Sequence, residues 1–210
     1  MEKEIGSLIF SAGEFKAAMD LMTGPVVRIT YDKGCHALKF QCTSQYACYV
    51  HLVDMDNSED DEKELDGLLW YVTRCQLQPI AQLIPADTLL WEKRALSLDG
   101  EIRDYDLYMG RIKNRMDSRK EDDRIRRQLW AENPEYRQLK RQLTEAKDHI
   151  IDFDVMFCPG AEIEFFIGSM DGMFSQAEFK VLGMSTEELV KTFPEEARDL
   201  IQGGEPEISY

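Results

Sequence analysis

SAGEFKAAMDLMTGPVVRITYDKGCHALKFQCTSQYACYVHLVDMD, residues 11–56, holds one helix pattern followed by three strand patterns. Phe15, Met19 and Met22 recur at helical spacing and Gly24-Pro25 closes the run, so a short amphipathic helix is expected. In VVRITYD (26–32), Val27, Ile29 and Tyr31 alternate with Arg28 and Thr30, the period of a strand that buries one face. HALKFQCT (36–43) and YACYVHLVDMD (46–56) read as two further strands, and Asp32-Lys33-Gly34 supplies the first turn.

The same order is expected again downstream. LLWYVT (68–73) reads as a strand and CQLQPIAQLIP (75–85) as a short helix that stops at Ile84-Pro85. DTLLWEK (87–93), ALSLDG (95–100) and IRDYDLYMG (102–110) then read as three strands, with Asp99-Gly100 as a turn. Residues 1–110 are thus expected to form one α+β domain of helix plus three strands, twice. The acidic run SEDDEKELDG (58–67) between the passes reads as an exposed loop.

Residues 111–149 read as a helical arm. Ser118 with Glu121 has capping-box spacing, and Asn133-Pro134-Glu135 gives N-cap, proline and early acid in helix-starting order. Tyr136, Leu139, Leu143, Ala146 and Ile150 fall at steps of three and four, a narrow apolar stripe flanked by Arg137, Lys140, Arg141 and Lys147. Residues 150–210 are expected to form a smaller lobe. Its strands are IIDFDVMF, EIEFFIG and FSQAEFKVLGM, with a hairpin turn at Ser169 to Gly172. A helix capped at Ser185 and interrupted by Pro194 follows, then a frayed tail.

Charge is distributed unevenly. The chain carries −15, yet residues 111–141 hold eleven Lys and Arg against six Asp and Glu, so this stretch is +5 and the remainder −20. Two surfaces with different partners follow from that polarity: an acidic body repels nucleic acid while a basic helix can hold a phosphate backbone. No apolar run approaches the ~18 residues of a membrane span, and the start lacks the pattern of an export signal. Five cysteines without a CxxC pair read as reduced, mostly buried thiols, and a cytoplasmic location is expected.

Catalytic patterns are weak. Asp154 or Asp171 with Glu178 and Lys180 has the composition of a metal-dependent nuclease core, but Glu178 and Lys180 read as outward alternates of a strand whose inner face is Ala177, Phe179 and Val181. A calcium loop at 54–65 fails at Glu59, where glycine is needed, and at Leu65, where glutamate is needed. His36, His51 and His149 share no ligand spacing with the cysteines. Nucleophile elbow, phosphate loop and dinucleotide fingerprint are absent from the sequence, so neither enzyme activity nor a cofactor is expected. Of the pairs Trp70-Tyr71 and Phe165-Phe166, one member each should be core.

The repeated helix-then-strands order, the hairpin EIEFFIGSMDGMFSQAEFKVL and the run WYVTRCQLQPIAQLIPADTLLWEK together resemble the DNA sliding clamps. That family builds rings from domains of two such units, with helices lining the DNA hole and sheets outside. Phage-type members of similar length form acidic trimers. The resemblance implies a non-enzymatic replication accessory factor, an oligomer that associates with duplex DNA and recruits a polymerase. Two departures accompany it: the basic helical insert, and first helices with almost no cations. Phosphate contact is therefore expected from Arg119, Lys120, Arg124, Arg126, Arg127, Arg137, Lys140 and Arg141, without base readout. The alternative expectation is an acidic interaction protein that mimics DNA and blocks a partner's nucleic-acid site through Glu59, Asp60, Asp61, Glu187, Glu188, Glu195 and Glu196. A third reading makes the basic arm a dimerisation helix whose arginines pair with Asp122, Asp123, Glu132 and Glu135.

Overall fold

The computed structural model describes residues 8–53, 65, 67–106, 119–158, 160–169 and 175–202, with the side chains of 119–121, 169, 175, 176 and 202 outside the description. The capping pair Ser118 and Glu121, the turn at 169–172, the acidic loop apart from Leu65 and Gly67, and the tail from 203 all lie outside the described residues or side chains. So do Glu59, Asp60 and Asp61. The chain divides into two compact units, Met1–Leu89 with Ile151–Tyr210, and Leu90–Ile150.

The first unit is a mixed α and β body with two antiparallel sheets. Its first half runs β1 (Leu8–Ile9), α1 (Ala12–Leu21), β2 (Val26–Asp32), β3 (Ala37–Thr43) and β4 (Tyr46–His51). Its second half runs β5 (Leu69–Thr73), α2 (Arg74–Leu83), β6 (Ile151–Cys158), β7 (Glu162–Ser169) and β8 (Ser175–Leu182). The sheet orders are β1-β6-β7-β8 and β5-β2-β3-β4. Exchanging each strand for its counterpart four places on turns one sheet into the other, so each half lends its first strand to the other half's sheet. The closing bridges repeat as well: Phe10 pairs with Leu52 in the first half and Tyr71 with Met184 in the second.

The helix-plus-three-strands pattern therefore does occur twice, but its second copy is not where the sequence places it. DTLLWEK, ALSLDG and the described part of IRDYDLYMG (102–106) are not strands: Thr88–Asp104 is one helix, α3, and residues 107–110 lie outside the described residues. Thr88, Ala95, Leu98 and Ile102 are buried and Trp91 and Tyr105 half-buried, which is a stripe at steps of three and four. Asp99-Gly100 is no turn either, since Asp99 pairs with Arg103 one helical turn on at 2.8 Å. The three missing strands are β6, β7 and β8. The strands of the expected 150–210 lobe share a sheet with Leu8–Ile9, in the register Leu8 to Val155 and Ile9 to Asp154.

One core joins the two halves of this body. Phe15 of α1 is fully buried, with ring centroids 4.7 Å from Phe153, 5.7 Å from Phe40 and 5.9 Å from Phe165. α1 starts at Ser11, whose hydroxyl accepts the Glu14 N–H, and the Glu14 carboxylate in turn accepts the His51 N–H at 2.8 Å. Near the second bridge, the Gly183 N–H reaches Ala161 O at 2.7 Å, and a Cβ on Gly183 would stand 2.9 Å from Trp70 Cε3. Trp70 is half-buried against Phe157 and Tyr71 is buried, as strand alternation requires.

α6 (Thr186–Thr192) and α7 (Pro194–Gln202) complete the body. Leu189, Ala197 and Leu200 form a second apolar cluster with Val26 and Tyr71. Asp199 accepts both the Ser44 N–H and hydroxyl, and Arg28 donates to Leu200 O at 3.2 Å, close to the α7 C-terminus. The expected interruption at Pro194 is the junction between these two helices.

The second unit is helical. α3, α4 (Arg119–Glu132) and α5 (Pro134–Lys147) share a core of Ala95, Leu98, Ile102, Tyr136, Leu143 and Ala146. Trp91 stacks on His149 at 4.2 Å and Tyr105 lies 6.1 Å from Tyr136, so α3 and α5 run antiparallel along matching three-four stripes. The expected cap at Asn133 is present, its side chain accepting from the N–H groups of Glu135 and Tyr136. Cysteine burial departs from expectation: Cys42 is buried, Cys48 and Cys158 are half-buried, and Cys35 and Cys75 are exposed, all as free thiols. No described helix is long and apolar enough to cross a membrane.

Candidate nucleic-acid interface

The charge asymmetry follows the division into units. Leu90–Ile150 contains fifteen Lys and Arg against thirteen Asp and Glu, hence +2, and the remainder of the −15 chain is therefore −17. Within the helical unit the cations concentrate around the junction of α4 and α5. Asn133 caps α5 and Pro134 opens it, which turns the chain between two consecutive helices in a single residue.

Trp130 stands in the last turn of α4 and is 45% exposed. Beside it lies a shallow open groove of about 600 Å³ lined by Pro134, Arg137, Gln138 and Arg141. Arg137 donates to Ala131 O at 3.0 Å, so its guanidinium is held against the C-terminal end of α4, where the helix dipole favours a cation. Arg141 is exposed one helical turn further along α5 and has no ion pair among the described residues. Lys140 lies 5.6 Å over the Tyr136 ring. A second groove that also includes Trp130 and Arg141 is lined by Lys140 and Lys147, but also by Glu145 and Asp148.

Of the other arginines expected to bind phosphate, Arg124 and Arg127 are exposed on α4. Arg126 is engaged within the protein. Its Nε lies 3.4 Å from Asp106 Oδ2 and its Nη1 3.6 Å from Asp123 Oδ1. Asp106 is buried and also accepts the Tyr136 hydroxyl at 3.0 Å, so Arg126 neutralises a carboxylate that the fold has enclosed. Burial, and next the bond to Asp106, push the Tyr136 phenol well above its ordinary range. Arg119 and Lys120 belong to α4, and their side chains lie outside the description. Trp130 is not among the residues that the sequence patterns mark. Its signal is in the sequence: at Leu129-Trp130 the leucine continues the apolar stripe and its neighbour, pointing elsewhere, is a large aromatic residue.

The acidic candidates occupy helix starts. Glu187 and Glu188 lie in the first turn of α6, and Glu195 and Glu196 in the first turn of α7, where negative charge stabilises a helix. Glu188 completes a capping box with Ser185, and those hydrogen bonds hold its carboxyl below the usual range.

The Asp154 form of the nuclease constellation is not assembled, and Asp171 lies outside the described residues. Register puts Asp154 opposite Phe166, and Phe166 opposite Glu178, so a whole strand separates the two carboxylates. Lys180 is instead held by Glu164 and by Glu162, the latter at 3.3 Å, and its ammonium occupies the middle of those two carboxylates. Cys158, Glu162 and Glu164 are the group of metal-ligand type found among the described residues, and Lys180 already pairs with both of its carboxylates. Comparison of the chain with protein-family models, curated proteins and solved structures yields no match.

Proposed function

We propose that this protein is a non-enzymatic accessory factor of DNA replication, similar in plan to the sliding clamps, that holds duplex DNA through its helical unit and recruits a polymerase. The observation that carries DNA association is the groove at the α4–α5 junction. There Arg137 and Arg141 flank an exposed indole, with Arg127 exposed on the same helix as Trp130. What supports the clamp plan is the reciprocal exchange of first strands between two helix-plus-three-strands halves.

In this reading the charge on α1 and α2 has been replaced by charge on the insert. α1 has Lys16 alone, which pairs with Asp20 at 2.9 Å, and α2 has Arg74 alone, whose guanidinium reaches Met19 O. Neither offers a row of cations to a phosphate backbone. The insert does, and its charge of +2 contrasts with the −17 of the remainder, a sign that repels DNA. Contacts of this kind position a duplex without reading its sequence.

The test replaces Arg124, Arg127, Arg137 and Arg141 together with glutamine and follows association with a labelled duplex across a salt series. Wild type should bind at low salt with an affinity that falls steeply as salt rises. The fourfold variant should lose association, and partial variants should flatten the salt dependence by about one unit of log–log slope per cation removed. Equal affinity in wild type and fourfold variant would contradict the proposal.

A further inference from the structure

We infer that Trp130 is a stacking platform for an unpaired base, so that the groove at the α4–α5 junction takes single-stranded nucleic acid, as at the end of a duplex, as well as duplex backbone. This rests on the proposal that the helical unit binds DNA and specifies what the same site recognises. Backbone contact alone needs cations, and it does not need an indole. Yet a tryptophan 45% exposed stands at the centre of the cationic cluster, although the helical unit has a core of its own in which Trp91 packs. Its lining on one side is cationic and neutral throughout, namely Arg137, Arg141, Gln138 and Pro134. The acidic residues Glu145 and Asp148 line only the second groove, which shares Trp130 and Arg141 with the first.

These positions have complementary chemistry for one nucleotide and its neighbours. An indole face accepts any base by stacking, provided that the base is not already stacked within a duplex. Arg137 uses one of its five donors on Ala131 O, which fixes the guanidinium beside the ring, and a planar fork with further N–H groups suits a phosphate oxygen. Arg141, one turn on, is placed for the next phosphate along the strand. Gln138 lines the same groove and offers amide donor and acceptor groups to a base edge. A protein partner with an acidic segment could meet the two arginines, but stacking on Trp130 distinguishes a base from a carboxylate.

The experiment measures fluorescence anisotropy of a labelled oligothymidylate and of a blunt duplex of equal length, using the full chain at low salt. Trp130→Ala should weaken single-strand binding about tenfold and leave duplex affinity within about twofold. Trp130→Phe should retain most of it, because a smaller aromatic face still stacks. Arg137→Gln with Arg141→Gln should weaken both ligands. Quenching of tryptophan emission on adding the single strand should be present in the wild type and absent from Trp130→Phe.

Outcomes separate this inference from the proposal beneath it. Duplex binding that persists while Trp130→Ala leaves single-strand binding unchanged overturns the stacking role alone. Equal weakening of both ligands by Trp130→Ala, with Trp130→Phe no better, also overturns it, since the ring would then be supporting the helices. Absence of binding to either nucleic acid at low salt overturns both.

Discussion

At the scale of single residues, the helical unit depends on how it encloses Asp106. A buried carboxylate is costly unless every oxygen finds a donor, and here the Tyr136 hydroxyl serves Oδ1 while Arg126 serves Oδ2. Tyr136→Phe keeps the ring in the core and removes only the donor to Oδ1. It should destabilise the unit by about 1–3 kcal/mol, seen as a lower urea midpoint, with duplex affinity little changed. An unaltered midpoint would mean that Asp106 does not depend on that bond. Arg126 also shows what sequence could not reveal: its guanidinium looks like a phosphate ligand by composition, and only the fold brings Asp106, twenty positions earlier, against it. Arg137 and Arg141 were legible as cations beside an apolar stripe. The groove that they share with Trp130 was not, because it forms between two helices that meet at Asn133.

At the scale of elements, β6 illustrates a strand whose two faces obey different rules. Phe153, Val155 and Phe157 point into the core, and Asp152 and Asp154 alternate with them on the outer face. Register places Asp154 between Ile9 of β1 and Phe166 of β7, so its carboxylate is partly removed from water. Burial first, then the neighbouring charge of Asp152, raise the Asp154 carboxyl above its ordinary value. A carboxyl raised in this way holds its proton more tightly folded than unfolded. Its contribution to stability is full below the unfolded value and is lost as pH rises through the folded one. Asp154→Asn should therefore raise the thermal midpoint near neutral pH, with the advantage over wild type shrinking toward about pH 4. A gain that does not change with pH, or a loss at neutral pH, would contradict this. Element type was readable in β2 and β6 because inward and outward residues alternate there, and in β3 and β5 from β-branched and aromatic content bounded by turn residues. It misled at α3, where Leu89, Leu90 and Leu96 fall between the buried positions and break a helical stripe into fragments that look like short strands.

At the scale of the whole molecule, a two-fold pattern in the chain is preserved across an interruption of about sixty residues. α1 and α2 open the two halves, yet β6 to β8 follow α2 only after the helical unit has been inserted. The repeat is visible in the sequence, but its last three strands are expected immediately after α2, since neighbouring elements are ordinarily consecutive. Long-range pairing of β1 with β6 and β5 with β2 has no local signature, so the mutual exchange of first strands was invisible before the fold. Under the proposed function this becomes a division of labour: a −17 body ordered like a clamp, and a helical unit whose cations would face the DNA. Amide hydrogen exchange of the full chain with and without duplex DNA tests that division most directly. DNA should slow exchange in α4 and α5, residues 119–147, and leave α1 and α2 unchanged. Slowed exchange in Ala12–Leu21 and Arg74–Leu83 with none in α4 and α5 would contradict it.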